Sequence, residues 1–200
     1  MTKRTPYAQA SKLLLRNTLL DGLRELLTLR DWSKVTMADV AKHAGLSRQT
    51  VYNEFGSRHG LAQAYALRLV EVYTAEIGAA VDAHENDLDR ALVDGFVRFF
   101  TGAATDPMIA SLLSGEANPD LHRLITTDAA PLIAAAKTRL TEVVEGSWIA
   151  VPADKAERIA GAIARMALSY VAMPPEVPAE EVAANLAAIF GPAIRETSEG

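Results

Sequence analysis

Cysteine is absent from the 200 residues, which excludes a disulfide framework and any thiolate-ligated metal and fits a reducing compartment. Long apolar runs are missing as well. The leucine-rich stretch from Leu13 to Leu29 is interrupted by Arg16, Asp21, Arg24 and Glu25, so it reads as neither a signal peptide nor a membrane span. A cytoplasmic chain with no membrane partner is expected. No segment alternates apolar and polar residues with β-branched enrichment for long enough to make a strand. Enzyme signatures are lacking too: there is no glycine-rich phosphate loop, no His-Glu-x-x-His pattern and no nucleophile paired with a base. Hence no catalytic residue and no cofactor is assigned, and a helical enzyme is the weaker reading. His84, Glu85 and Asp87 lie close in sequence but in a charged break, so no metal site is assigned there.

Half of the residues are hydrophobic, enough for a sizeable core in one compact unit or two modest domains. The net charge of -5 conceals an uneven distribution. Residues 1–60 hold ten Lys and Arg against five acids, whereas the remaining 140 hold ten against twenty. A small basic module that meets an anion, joined to an acidic body that does not, is the pattern this split suggests.

Alanine and leucine at helical spacing run nearly end to end, so the chain is read as all-α. The first helix is expected from Pro6 or Tyr7 to Leu29, with Thr5 as a candidate cap and Leu15, Leu19, Leu23, Leu26 and Leu27 as its apolar stripe. Two short helices, Met37 to His43 and Arg48 to Phe55, precede a long one from Arg58 to about Ala83 with Ser57 as cap. Further helices are expected near 88–104, 107–114, 119–145, 153–172 and 179–196, punctuated by Pro107, Pro119, Pro152, the Pro174-Pro175 pair and Pro178. Pro131 kinks or divides the helix near 119–145. Only the last few residues read as a loose tail.

The densest local signals fall between Trp32 and Phe55. Thr36 is placed to cap the first short helix, with Asp39 in capping-box position and Val35 and Val40 as a hydrophobic staple. Ser47 caps the second, with Leu46 and Val51 as its staple. Gly45 between them suits a left-handed turn, because a residue without Cβ avoids the steric penalty. Val51 and Phe55 bury together at i and i+4, leaving Arg48, Gln49, Thr50, Tyr52 and Asn53 around the exposed sides. Those side chains suit a DNA groove: Arg bonds guanine, Gln and Asn suit adenine, the Thr methyl meets thymine and the Tyr hydroxyl reaches phosphate. Lys34, Lys42 and Arg58 add sequence-independent attraction.

The run Val35-Thr-Met-Ala-Asp-Val-Ala-Lys-His-Ala-Gly-Leu-Ser-Arg-Gln-Thr-Val-Tyr-Asn-Glu-Phe-Gly-Ser-Arg58 resembles the helix-turn-helix signature of the TetR family, and the surrounding match covers about residues 10 to 68. The resemblance implies a three-helix helix-turn-helix DNA-binding domain over 6–68 and a larger helical effector-binding and dimerisation domain over 69–197. It carries DNA-contact roles onto Thr36, Arg48, Gln49, Thr50, Tyr52, Asn53 and Arg58, with Tyr52 and Arg58 on phosphate. Two positions depart from the family pattern: Gly56 stands where proline or lysine is often found, and His59 where an acidic residue is common.

The resemblance further implies a homodimer through the last two helices, whose small residues allow close approach. Two recognition helices about one turn of DNA apart then read a palindromic double-stranded operator. For a small hydrophobic effector, Phe96, Phe99, Phe100, Met108, Leu112, Leu113, Trp148, Met166 and Tyr170 supply apolar surface, and His122 or Arg165 is a candidate anchor for a carboxylate. A fatty acid, acyl ester or similar long chain is the preferred class. The expected function is a transcriptional repressor released by that effector; an activator needs the same groove contacts, and a ligand carrier without DNA function is the alternative.

Overall fold

The computed structural model describes residues 6–116, 118–149 and 151–198, and every regular element among them is helical. In chain order these are α1 (Pro6–Leu29), a 3-10 turn (Trp32–Lys34), α2 (Met37–His43), α3 (Arg48–Phe55), α4 (Arg58–Ala83), α5 (Leu88–Thr105), α6 (Pro107–Leu113), α7 (Pro119–Ile125), α8 (Ala130–Glu145), α9 (Ala153–Ala172) and α10 (Ala179–Ser198). The proposed Thr5 cap lies outside the described residues. The end of the chain expected to be loose is helical as far as Ser198, and residues 199 and 200 lie outside the described ones.

The stripe on α1 does what its spacing predicts. Leu19, Leu23, Leu26 and Leu27 are buried together with Leu20, and Leu15 packs at the edge. They meet Val35, Val40, Val51, Leu61 and Tyr65 in one core, where each fully buried aliphatic side chain contributes about 1.5–3 kcal/mol relative to exposure. Trp32 is completely buried in the same core.

Helix α4 is continuous through the expected domain boundary at residue 68, so the two parts share a rigid rod and not a flexible linker. Its second half packs on α5 and α8, while α9 packs on α8 and α10 on α5. The helix expected over 119–145 is divided: α7 ends at Ile125 and α8 restarts at Ala130 with Pro131 in its first turn. Proline lacks the N–H needed in a helix interior, and its ring collides with the carbonyl four residues back, whereas the first turn accommodates it. The small residues Ala156, Ala160, Gly161 and Ala164 of α9 are buried within the chain. The outer side of α9 and α10 exposes Ala162, Ala184, Ala188 and Ile189.

Candidate functional site: nucleic-acid interface and ligand cavity

The helix-turn-helix is built from local hydrogen bonds. The Thr36 hydroxyl accepts from the Asp39 N–H at 3.2 Å and the Asp39 carboxylate accepts from the Thr36 N–H at 2.9 Å, a complete capping box. Hydrogen bonding from Thr36 holds the Asp39 carboxyl below its usual range. Gly45 takes φ +66°; its N–H donates to the Lys42 carbonyl at 3.2 Å, and that of Leu46 to Ala41 at 2.9 Å. This is the Schellman arrangement, which satisfies the last carbonyls of α2 and turns the chain directly into α3. The Ser47 hydroxyl then accepts from the Thr50 N–H at 3.1 Å.

With Val51 and Phe55 buried and Glu54 paired to Arg16 of α1 at 3.0 Å, α3 presents one polar edge. Arg48, Gln49 and Asn53 on it are exposed, and Thr50 and Tyr52 partly so. The side chains bond in i, i+4 pairs: Arg48 Nη2 donates to the Tyr52 hydroxyl at 3.2 Å, and Gln49 Nε2 to Asn53 Oδ1 at 2.8 Å. Such pairs restrict rotamers on an otherwise free surface. They also leave the remaining donors of Arg48 and Gln49 facing outward.

Arg58 occupies a different environment from the one its family role implies. Its guanidinium lies 4.1 Å from the centroid of the Trp32 ring, donates to the carbonyls of Trp32 and Val35, and pairs with Asp120 of α7 at 2.5 Å. Its neighbour His59 reaches Asp128 at 3.0 Å, and Asp128 also takes Arg123 at 2.7 Å. Side chains at the start of α4 are therefore engaged with α7 and the segment after it. A second junction reinforces this one. The Trp32 N–H donates to Ser111 Oγ at 3.1 Å, and the Asp31 carboxylate accepts from Ser114 at 3.0 Å and Asn118 at 3.3 Å. Burial pushes the Asp31 carboxyl up, but hydrogen bonds from Ser33, Ser114 and Asn118 overcome that and hold it at about 2. A depressed carboxyl stabilises the fold above its unfolded value and loses that contribution as pH falls toward 2, so this junction stays intact at neutral pH.

Beneath α7 lies a cavity of about 140 Å³. Of the residues expected to hold an effector, Phe96, Phe99, Phe100, Met108, Leu112, Met166 and Tyr170 line it, while Leu113, His122 and Trp148 do not. Leu113 is 42 % exposed, because it sits a further 100° around α6 from Leu112. His122 is exposed, with Nδ1 donating to the Asn118 carbonyl at 2.9 Å. Trp148 packs in a separate cluster with Val81 and Ile194, and its indole N–H donates to the Val81 carbonyl at 2.9 Å. Arg165 is exposed and bonds back to the Gly161 carbonyl at 3.1 Å. Neither candidate carboxylate anchor reaches the cavity.

The sequence reading missed the contribution of α4. Leu69, Val70, Tyr73 and Ile77 line the cavity, and their helical spacing was the available signal. It also missed Leu121, Leu124 and Ile125 of α7, which line the cavity while Asp120 on the same helix holds Arg58. One seven-residue helix thus touches both the cavity and the start of α4. His84, placed in the charged break, pairs with Asp94 at 3.2 Å, and no metal-binding group of side chains occurs among the described residues.

A capped helix-turn-helix with an outward polar edge, carried on a helical body with an apolar cavity, defines a DNA-binding regulator. The chain belongs to the TetR family. Residues 19–65 match the family described as bacterial regulatory proteins, tetR family, and residues 87–192 match the bacterial tetracyclin repressor, C-terminal domain. It is 50% identical over 190 residues to the HTH-type transcriptional regulator AlkX of Mycobacterium tuberculosis, covering 95% of this chain and 90% of that protein. The crystal structure of the TetR family repressor AlkX from Dietzia sp. strain DQ12-45-1b, implicated in biodegradation of n-alkanes, superimposes with a TM-score of 0.85 at 40% identity over 99% of this chain and all of that one. The repressor QsdR of R. erythropolis shares the fold, with a TM-score of 0.61 at 17% identity over 88% of this chain and 93% of that one. Family membership makes this protein a transcriptional regulator and not an enzyme. No helix among the described residues is long and apolar enough to cross a membrane.

Proposed function

We propose that the protein is a repressor that binds a palindromic operator as a homodimer and is released when an aliphatic effector enters the cavity. The observation that carries the reading is the double role of α7, which lines the cavity with Leu121, Leu124 and Ile125 and grips Arg58 with Asp120. In this role Arg48, Gln49, Thr50, Tyr52 and Asn53 meet bases and phosphates, and the Thr36 cap offers backbone N–H groups to phosphate. The exposed Ala162, Ala184, Ala188 and Ile189 form the face on which two copies pair, and the domain division lies within α4, near residue 68.

An aliphatic chain that enters the cavity lies against Leu121, Leu124 and Ile125 of α7, and its occupancy displaces a wall. Helix α7, short and bounded by loops on both sides, is the wall that yields with least loss of packing. Its displacement moves Asp120 and with it the start of α4, favouring a separation of recognition helices that no longer fits both half-sites. That the Dietzia relative is implicated in n-alkane biodegradation supports an aliphatic effector.

Operator-bound protein titrated with medium-chain aliphatic compounds tests this. Release is expected for the wild type. Ala136→Phe, which places a ring in the cavity, is expected to keep operator affinity within about twofold and to lose the release, because an occupied site has no differential affinity to offer. Equal release from wild type and Ala136→Phe would remove the cavity from the mechanism.

A further inference from the structure

Resting on the reading of this cavity as the effector site, we propose that its ligand is an uncharged aliphatic alcohol or aldehyde, and that the Tyr73 hydroxyl donates to the ligand oxygen. Among the described residues, the cavity walls carry no charged side chain. A buried carboxylate without a partner is strongly disfavoured, and the two candidate anchors that the sequence offered, Arg165 and His122, lie elsewhere.

Polar groups on the walls are few, and they differ in availability. The Thr74 hydroxyl already donates to the Val70 carbonyl at 2.8 Å. Tyr73 is different: its hydroxyl is buried and lacks any hydrogen-bond partner, and it is the only such buried atom that the cavity walls contribute among the described residues. Its ring is fixed edge-on against Phe99 at 5.7 Å and 88°, so the hydroxyl has a defined position. An unsatisfied buried hydroxyl is costly and is relieved by a ligand that completes its hydrogen bond.

The sign of the ligand follows from the neighbourhood. Burial, and then the negative charge of Asp106, keep the Tyr73 phenol protonated and therefore a donor. Asp106 itself is 3% exposed and already accepts from the Tyr65 hydroxyl at 3.0 Å and the Met108 N–H at 2.9 Å. A ligand carboxylate placed at Tyr73 would meet that field, which the more weakly felt positive charge of Arg24 offsets only in part. A hydroxyl or carbonyl oxygen accepts the Tyr73 proton at no such cost. The lining of α4 from Leu69 to Ile77 extends about 12 Å along the helix axis, the length of an extended chain of about ten carbons.

The test uses 1-decanol, decanoate and n-decane on the full-length protein at pH 8. Calorimetric titration is expected to show 1-decanol binding at least about tenfold tighter than decanoate, reflecting the unpaired charge. Tyr73→Phe, which preserves the ring, is expected to weaken 1-decanol about fivefold, the size of one neutral hydrogen bond. The thermal shift in decane-saturated buffer is expected to be unchanged by that substitution. Decanoate binding as tightly as 1-decanol, or a decanol affinity unaffected by Tyr73→Phe, would overturn the assignment while leaving an apolar effector site intact. Failure of all three compounds to bind would overturn the effector-cavity reading itself, and this proposal with it.

Discussion

Trp32→Ala is expected to lower stability by about 3–5 kcal/mol, the usual range for removing a large aromatic side chain from a core. Trp32 has no exposed surface, and it lies where three parts of the molecule meet. Its ring is covered by Arg58 of α4, its carbonyl accepts from the same guanidinium, and its N–H donates to Ser111 of α6. Truncation opens a cavity beneath Arg58 as well as removing apolar contact. For a chain of this length a loss of that size lowers the melting temperature by about 6–20 °C. Trp32→Phe is expected to cost much less, because the indole N–H is buried without a partner and its removal deletes an unsatisfied donor along with some ring volume. Thermal unfolding followed by circular dichroism separates the two variants. Similar melting temperatures for Trp32→Ala and wild type would mean that Trp32 is not the keystone of this junction.

Arg58→Ala is expected to cost about 2–3 kcal/mol, since it strands the Asp120 carboxylate and two backbone carbonyls that Arg58 now satisfies. Arg58→Lys is not expected to restore stability, because one ammonium cannot reproduce a planar fork that reaches three acceptors and stacks on Trp32. Asp120→Asn should shift the melting temperature in the same direction by less. The effects of Trp32→Ala and Arg58→Ala will not add, as the two side chains touch. The family role predicts something else for Arg58: a phosphate contact, whose loss reduces the salt dependence of DNA affinity by about one unit of slope. The geometry favours the junction role, so the salt slope is expected to be unchanged in Arg58→Ala. The effector response is expected to be blunted in both Arg58→Ala and Asp120→Asn. A reduced slope with an undisturbed melting temperature would restore the phosphate assignment.

The contrast between Arg58 and the recognition helix shows what could be read from the chain alone. The caps of α2 and α3 depend on residues three apart, Thr36 with Asp39 and Ser47 with Thr50, and on a single glycine at φ +66°. Such signals are local, and sequence displays them directly. The contacts that tie the two parts of the protein together span 62 residues between Arg58 and Asp120, 79 between Trp32 and Ser111, and 41 between Tyr65 and Asp106. Nothing in either partner's neighbourhood announces the other. A basic residue after a helix-turn-helix therefore reads as a phosphate ligand, and nothing local displays the acid it pairs with in the folded chain.

The cavity was legible in part, for a related reason. Phe96, Phe99 and Phe100 form an aromatic face of α5 that had to pack somewhere, and all three line the cavity. Periodicity marks an apolar face but not whether it meets another helix or an empty space. Thus Leu112 lines the cavity while its neighbour Leu113 is exposed, and Trp148, equally aromatic, belongs to another cluster. Tyr73, by contrast, reads as one more member of an apolar stripe on α4. What sets it apart is a hydroxyl with no partner, a property that only three-dimensional neighbours confer.

The exposed edge of α3 is expected to read DNA sequence. The most direct measurement is a fluorescence-anisotropy titration of an operator selected from genomic fragments, carried out with wild type and Arg48→Ala on the operator and on single-base variants of it. Arg48→Ala is expected to lose about 1–3 kcal/mol on the operator and to discriminate less at one base pair of each half-site, with an unchanged melting temperature because Arg48 is exposed. If Arg48→Ala bound the operator and its variants with wild-type affinity and preference, or if the wild type selected no fragment at all, α3 would not be the reading edge described here.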